Sequence, residues 1–259
     1  MFIHFSHQTQ TTASRTNSVA VLPLGAMETH GPHLPLGTDG LIAEGLLDRA
    51  TELDTTKTEI LRLPLLWLGA SCEHAGRAGT LSWEPEQLIA QIVSIAEGLS
   101  ASGIQRLVLF NGHGGNIAAA AIAALKLRTR LNMLVASAHW LDFGLPPQLV
   151  PPKPAMEDVH GGWIETSVLL HMAPHLVVKD AIRARAPSPP AASLFPKGPI
   201  AWGWKLDDLA SNNDKVGGWI GHPDLATPAL GHMLVNHAAQ KLLDLLQEIA
   251  AAPWKPGQK

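Results

Sequence analysis

A single cysteine, Cys72, stands in 259 residues, so no internal disulfide can form and the chain suits a reducing compartment. No stretch approaches the roughly 18 consecutive apolar residues of a membrane-spanning helix. Residues 1–18 are rich in Ser, Thr and Gln and lack the apolar run of a secretory signal; they are expected to form a partly mobile start to a cytoplasmic protein. Basic residues are not clustered and the formal net charge is -3, which leaves no electrostatic footprint for DNA or RNA. Neither nucleic acid nor membrane is expected as a partner.

What the chain has in excess is histidine. Thirteen histidines and eight tryptophans accompany a complete lack of tyrosine, and the histidines direct attention to metal binding. With 46% of residues hydrophobic, a sizeable core is available to one large domain. The expected organisation is a single domain over 19–252 followed by a tail, 253–259.

Apolar patterning supports an α/β reading. Val19 to Gly25 is a short apolar run ending in glycine, as a buried strand would be. Leu41, Ile42, Leu46 and Leu47 fall at helical spacing. Leu61 to Leu68 reads as a second strand, whose Pro64 suggests an edge or bulge. Ser82 and the acids after it mark a helix start, with Pro85 in the first turn. A strand over 107–110, an Ala-rich helix to about Arg130 and a strand over 133–136 follow, and a last helix opens at Thr227-Pro228. Strand and helix in alternation predict a mostly parallel sheet covered on both faces, a three-layer α/β/α sandwich.

In such sheets functional groups gather beyond the carboxyl ends of the strands. There the sequence places Glu28-Thr29-His30-Gly31-Pro32-His33-Leu34-Pro35, with Gly37-Thr38-Asp39 close behind. Its prolines and glycines oppose regular helix. In extended backbone Glu28 and His30 face the same side. Carboxylate and imidazole without thiolate suit a catalytic zinc, manganese or iron(II) ion; the plainer reading makes Asp39 a helix N-cap. After the 107–110 strand comes Asn111-Gly112-His113-Gly114-Gly115-Asn116, which lacks the Lys-Ser/Thr of a phosphate loop. Glycines on both sides of His113 suit close approach to a ligand or ion.

These segments resemble the creatininase family of metal-dependent amide hydrolases. The opening motif matches at Glu28, His30, His33, Leu34, Pro35, Thr38 and Asp39, and the Asn-Gly-His segment at His113. His160-Gly161-Gly162-Trp163-Ile164-Glu165-Thr166-Ser167 is similar to the family's His-Ala-Gly-x-x-Glu-Thr-Ser segment. Ser71-Cys72-Glu73-His74 resembles its Ser-x-Glu-His segment, with Arg77-Ala78 in place of the usual Phe-Pro of the following loop. Creatininase itself carries a glutamate two positions after the metal histidine, where this chain has Gly115. That departure weighs against creatinine as substrate.

The resemblance implies one or two divalent ions, zinc, manganese or iron(II). Asp39 would bridge them, with Glu28 and His113 on one and His30 with Glu165 on the other. His160 is the implied proton donor to the departing nitrogen, because imidazole can accept and return a proton near neutral pH. Glu165, counted with both the catalytic and the metal residues, is otherwise explained as a helix-start carboxylate. Implied too are a small-molecule amide substrate, whether cyclic amide, formamide or peptide-like, and a homo-oligomer, often a hexamer. Two other readings stay open: a metal-binding regulatory or assembly protein on the same fold, and an amidase using Cys72 as nucleophile. Trp202, Trp204 and Trp219 are expected in packing or pocket walls.

Overall fold

Alternation along the strands decides the layers. The computed structural model describes residues 1–13, 18–56, 58–151, 157–196, 200–209 and 217–254; the end of the expected tail, from 255, lies outside them. Five strands, β1 (Phe2–His4), β2 (Val19–Leu24), β3 (Ile60–Arg62), β4 (Arg106–Asn111) and β5 (Leu134–His139), form one sheet in the order β1-β3-β2-β4-β5. Every pairing is parallel. Parallel neighbours need crossover connections, and the helices supply them.

In β2, Val19 and Val21 point to one face and Ala20, Leu22 and Leu24 to the other, all at 0–1% exposure. The first face packs on α2 (Thr38–Leu53), α5 (Trp163–Met172) and α6 (Pro228–Ala251), through Leu46, Leu169 and Leu242 among others. The second packs on α3 (Pro85–Ala101) and α4 (Ile117–Leu131), through Leu88, Ile92 and Leu127. Both faces are therefore dry, which is why β2 reads as a continuous apolar run. Each such side chain contributes about 1.5–3 kcal/mol by leaving water. The α/β sandwich expected from the patterning is the observed architecture.

Local chemistry sets the helix ends. Thr227 accepts a hydrogen bond from the Leu230 N–H at 3.1 Å, and Pro228 opens α6. At α3 the cap is Glu84 rather than Ser82: its side chain accepts from the Gln87 backbone N–H while Gln87 Oε1 takes the Glu84 N–H at 3.0 Å, a capping box. Pro64 cuts β3 short, leaving Leu66 a lone bridge to Leu24. Phe2–His4 adds the edge strand β1 within the stretch expected to be mobile, and α1 (Gln10–Ala13) is a single turn.

Candidate metal centre

Two parallel strands deliver the site. Beyond Leu24 the chain stays extended, and the Glu28 N–H bonds the Leu36 carbonyl at 3.0 Å, closing the loop that carries the opening motif. Asp39 follows as the second residue of α2, whose cap, Gly37, has no side chain to offer. The Asp39 carboxylate therefore does not cap the helix but faces inward, 2% exposed. At the end of β4, Gly112 lets the two segments meet: a Cβ there would lie 2.3 Å from the Asp39 carbonyl oxygen. Asn111 and Asn116 then fix the loop. Asn111 Oδ1 accepts from the His113 N–H at 3.0 Å, and Asn116 ties Ala70 and Gly25 to it at 2.8 and 2.9 Å.

The result is a buried cluster of acids and imidazoles. Asp39 Oδ1 lies 3.3 Å from His30 Nε2, and Asp39 Oδ2 lies 3.4 Å from His113 Nδ1. Glu28 Oε2 is 3.3 Å from His113 Nε2, and Glu28 Oε1 is 3.9 Å from His30 Nε2. Yet both Glu28 oxygens, His30 Nε2 and Asp39 Oδ2 are buried without a hydrogen-bond partner. Such atoms are costly to bury unless something satisfies them. Among the described residues, three groups bring together ligand atoms, one from each residue, within 4.8 Å of one another: Glu28 with Glu73 and His113, His30 with Asp39 and Glu165, and Glu28 with His30 and His160. An oxygen and nitrogen donor set without thiolate fits a divalent ion of the zinc, manganese or iron(II) kind.

Electrostatics express the same need for positive charge. Burial alone would depress the His30 imidazole, but Asp39 overrides it and raises the pKa to about 9. His113 is likewise raised against its burial, chiefly by Glu28. Asp39, despite burial that works against ionisation, is held well below the usual carboxylate range by His30 and His113. In the absence of other cations, these histidines must carry the charge that balances the acids.

His33 belongs to the opening motif but not to the cluster. Its Nε2 reaches the Gly161 carbonyl at 2.9 Å and Thr166 Oγ1 at 3.1 Å, and burial lowers its pKa to about 4. It ties the motif to the start of α5. There Asp158 accepts from the Trp163 and Ile164 N–H groups at 3.0 and 3.2 Å, serving the helix start that Gly162 leaves uncapped. Glu165, in the first turn, takes the Gly161 N–H on Oε2 at 2.6 Å and also reaches the His30 and Asp39 group. Both readings of Glu165 are thus compatible in one side chain.

His160 Nε2 sits 2.6 Å from the Thr29 carbonyl, which can only accept, so that nitrogen carries the proton. Nδ1 faces Glu28 Oε1, 3.7 Å away. Two residues in the cluster had no role in the sequence reading. Glu73 Oε1 lies 3.3 Å from His113 Nε2, and His74 Nε2 lies 3.4 Å from Glu28 Oε1. The available signal was a second adjacent pairing of acid and histidine after a strand. Beside them, Cys72 is an exposed thiol raised by partial desolvation and by the Glu84 and Glu73 carboxylates. That is the wrong direction for a thiolate nucleophile.

Above the cluster opens a cavity of about 1120 Å³. Its outer wall includes Leu145, Pro196, Trp202 and Trp204, and Lys205 is the sole Lys or Arg among its described lining residues. Trp202 and Trp204 pack beside Leu206 and Ile220. Trp219 is buried, its Nε1 donating to the Arg183 carbonyl at 2.9 Å, and so is a packing residue. Arg77, where the resemblance departs, donates to the Gly217 carbonyl at 3.1 Å and pairs with Asp207, holding the rim in place.

The creatininase profile, described as creatinine amidohydrolase, matches residues 5–246. The chain belongs to the creatininase family. It is 34% identical over 249 residues to the mycofactocin precursor peptide peptidase of Mycobacterium tuberculosis, covering 93% of this chain and 87% of that protein. To the creatinine amidohydrolase of Pseudomonas putida it is 30% identical over 199 residues, 70% of this chain and 75% of that one. A Bacteroides fragilis protein provisionally described as a creatinine amidohydrolase shares the fold, with TM-score 0.79 and 24% identity over 98% of both chains. Creatininases with manganese and in a zinc-zinc form superpose at TM-scores of 0.74 and 0.75, with 21% and 22% identity, over 97% of this chain and all of theirs. This chain is accordingly an enzyme, a creatininase-family amidohydrolase. No described helix is long and apolar enough to cross a membrane.

Proposed function

We propose that this amidohydrolase cleaves a carbon-nitrogen bond in an extended, peptide-like substrate with two divalent ions at the floor of its cavity. One observation carries the two-ion reading: the two oxygens of Asp39 face different histidines, His30 at 3.3 Å and His113 at 3.4 Å, as a bridging carboxylate would. Glu28 and His113 would hold one ion, and His30 with Glu165 the other, both sharing Asp39. Bound there, such ions make water acidic enough to attack at neutral pH and polarise the amide carbonyl.

The chain's own residues then handle substrate and proton. His160, fixed by its Nε2–H on the Thr29 carbonyl, would take on Nδ1 the proton given up by the attacking water and pass it to the departing nitrogen. Amide nitrogen leaves poorly without that proton, so the transfer is worth about 10²- to 10⁴-fold in rate. Burial of Glu28, His30 and Asp39 at 0–2% exposure keeps their charges strong by excluding bulk water.

The size of the cavity supports a substrate larger than a small cyclic amide. Sites for drug-sized ligands run to roughly 300–1,000 Å³, so about 1120 Å³ exceeds what a small cyclic amide would fill. A peptide end fits better, its apolar side chains against Trp202 and Trp204. The peptide-processing relative at 34% identity supports the same choice, and Gly115 weighs against creatinine.

Elemental analysis of wild type and Asp39→Ala tests the reading. Wild type should hold about one to two transition-metal ions per chain and the variant should lose them. A wild type that takes up neither zinc nor manganese when offered them refutes it. If Cys72→Ala abolished amide cleavage while a chelator did not, the thiol would be the nucleophile instead.

A further inference from the structure

Gly115 stands where creatininase itself carries a glutamate, and the space around it is already taken. A Cβ at position 115 would lie 2.2 Å from the Ala70 carbonyl oxygen, 2.5 Å from His113 Nε2 and 2.6 Å from Glu73 Oε1. The Ala70 carbonyl is backbone and cannot swing away. A glutamate at 115 is therefore excluded by the path of the chain before β4's loop, and a carboxylate from that same path occupies the vacated volume.

That carboxylate is well placed to serve. Glu73 sits in the single turn Cys72–His74, with its side chain 17% exposed and Oε1 3.3 Å from His113 Nε2. Glu28, Glu73 and His113 together present three ligand atoms within 4.8 Å. Glu28 brings to this group two fully buried oxygens that lack any hydrogen-bond partner. Around one imidazole, Glu28, Glu73 and Asp39 place three carboxylates at 3.3–3.4 Å. A divalent cation held by the neutral imidazole together with these carboxylates would balance their charge.

We propose that Glu73 is a metal ligand in this chain, joining Glu28 and His113 and supplying the carboxylate that Gly115 does not. The assignment rests on the two-ion reading above and adds a residue to it. It also accounts for a glycine at 115 in physical terms: the ligand arrives from the Ala70–His74 segment, and only a residue without a side chain leaves room for it.

The test is metal binding rather than turnover. Metal-stripped wild type, Glu73→Gln and Glu73→Ala are titrated with Mn²⁺ by calorimetry, and the proteins as purified are assayed for metal content. Glu73→Gln keeps the side-chain volume, and circular dichroism checks that each variant is folded. Loss of a neighbour that merely orients a ligand costs roughly 10- to 100-fold in affinity, so loss of a direct ligand should weaken one ion by at least about 10-fold and leave the other near its wild-type value. Wild-type stoichiometry and affinity in both variants would overturn the assignment while leaving the two-ion reading intact. Failure of wild type itself to bind Mn²⁺ or Zn²⁺ would instead remove the reading on which the assignment stands.

Discussion

The floor and the rim of the cavity are built in opposite ways. Floor residues Glu28, His30, Asp39 and His113 stand just past β2 and β4 or in the first turn of α2, at 4% exposure or less. Their backbone is pinned by the sheet and by Asn111 and Asn116. Rim residues Leu145, Pro196, Trp202 and Trp204 come from stretches where regular structure shrinks to single turns. Chemistry that must hold charged groups in fixed relation sits on the rigid part. On the proposed function, recognition of the substrate's remainder would fall to loops, which can vary without disturbing the reaction. The family's different substrates fit that division: a precursor peptide for one relative and creatinine for another.

On the proposed mechanism, removing His160, the proposed proton carrier, should be the most damaging single change that spares the metal. His160→Ala is expected to lower kcat by about 10²- to 10⁴-fold with metal content unchanged. Elemental analysis beside steady-state kinetics would decide. Loss of an ion in this variant would move His160 into the ligand set, where its proximity to Glu28 and His30 also allows it.

The same division governs what could be read from the sequence. Three of the floor's groups were legible because they are close in the chain: Glu28 and His30 face one centre through the two-residue period of extended backbone, and Asp39 returns within a dozen residues, while His113 was legible separately from its glycine-flanked loop after an apolar run. β2, β4 and α6 were legible from apolar runs and a Thr-Pro start. Phe2–His4 was not, because a strand of three residues is hidden by the Ser, Thr and Gln that follow. Nor was the α3 cap, since Ser82 is the residue type that favours a cap and only the reciprocal partnership of Glu84 with Gln87 overrides it. Glu73 and His74 reach the cluster only because Ala70 packs on the His113 loop, and that contact spans 43 positions. Arg77 holds Gly217 across 140 positions; no local pattern announces such a pairing.

A smaller effect should separate the metal-free floor from the rest of the protein by its pH dependence. His30 has its pKa raised from 6.5 to about 9. A raised folded-state pKa means stability that is complete below pH 6.5 and lost as pH rises through about 9. His113 shifts in the same direction. The metal-free protein should therefore lose on the order of 2–3 kcal/mol between pH 6.5 and 9.5, seen as a falling thermal midpoint. With Mn²⁺ or Zn²⁺ bound the imidazoles must be neutral, so the fall should vanish and affinity should rise over that window. On the acid side His33, depressed by burial to about 4, has the opposite sign: its share of stability is present above pH 6.5 and lost as pH falls toward 4. A metal-free protein whose midpoint stays level from pH 6.5 to 9.5 would show that the buried acids are balanced in some other way.

The smallest effect belongs to the rim. Trp204 is half-buried, lines the outer cavity and packs near Leu206 and Ile220. It stands on the loop side, away from the atoms that hold charge. Trp204→Ala removes a flat apolar wall, so an apolar substrate side chain would lose on the order of 1–2 kcal/mol of contact. Because that contact is equally present in ground and transition states, the loss should appear as a roughly 10-fold rise in KM with kcat nearly unchanged. Metal content should match wild type. The effect should also shrink as the substrate is shortened, since a substrate that does not reach the rim has nothing to lose there. A kcat loss equal to the loss in kcat/KM would mean instead that the rim helps to align the scissile bond, and the separation between floor and rim would fail at Trp204.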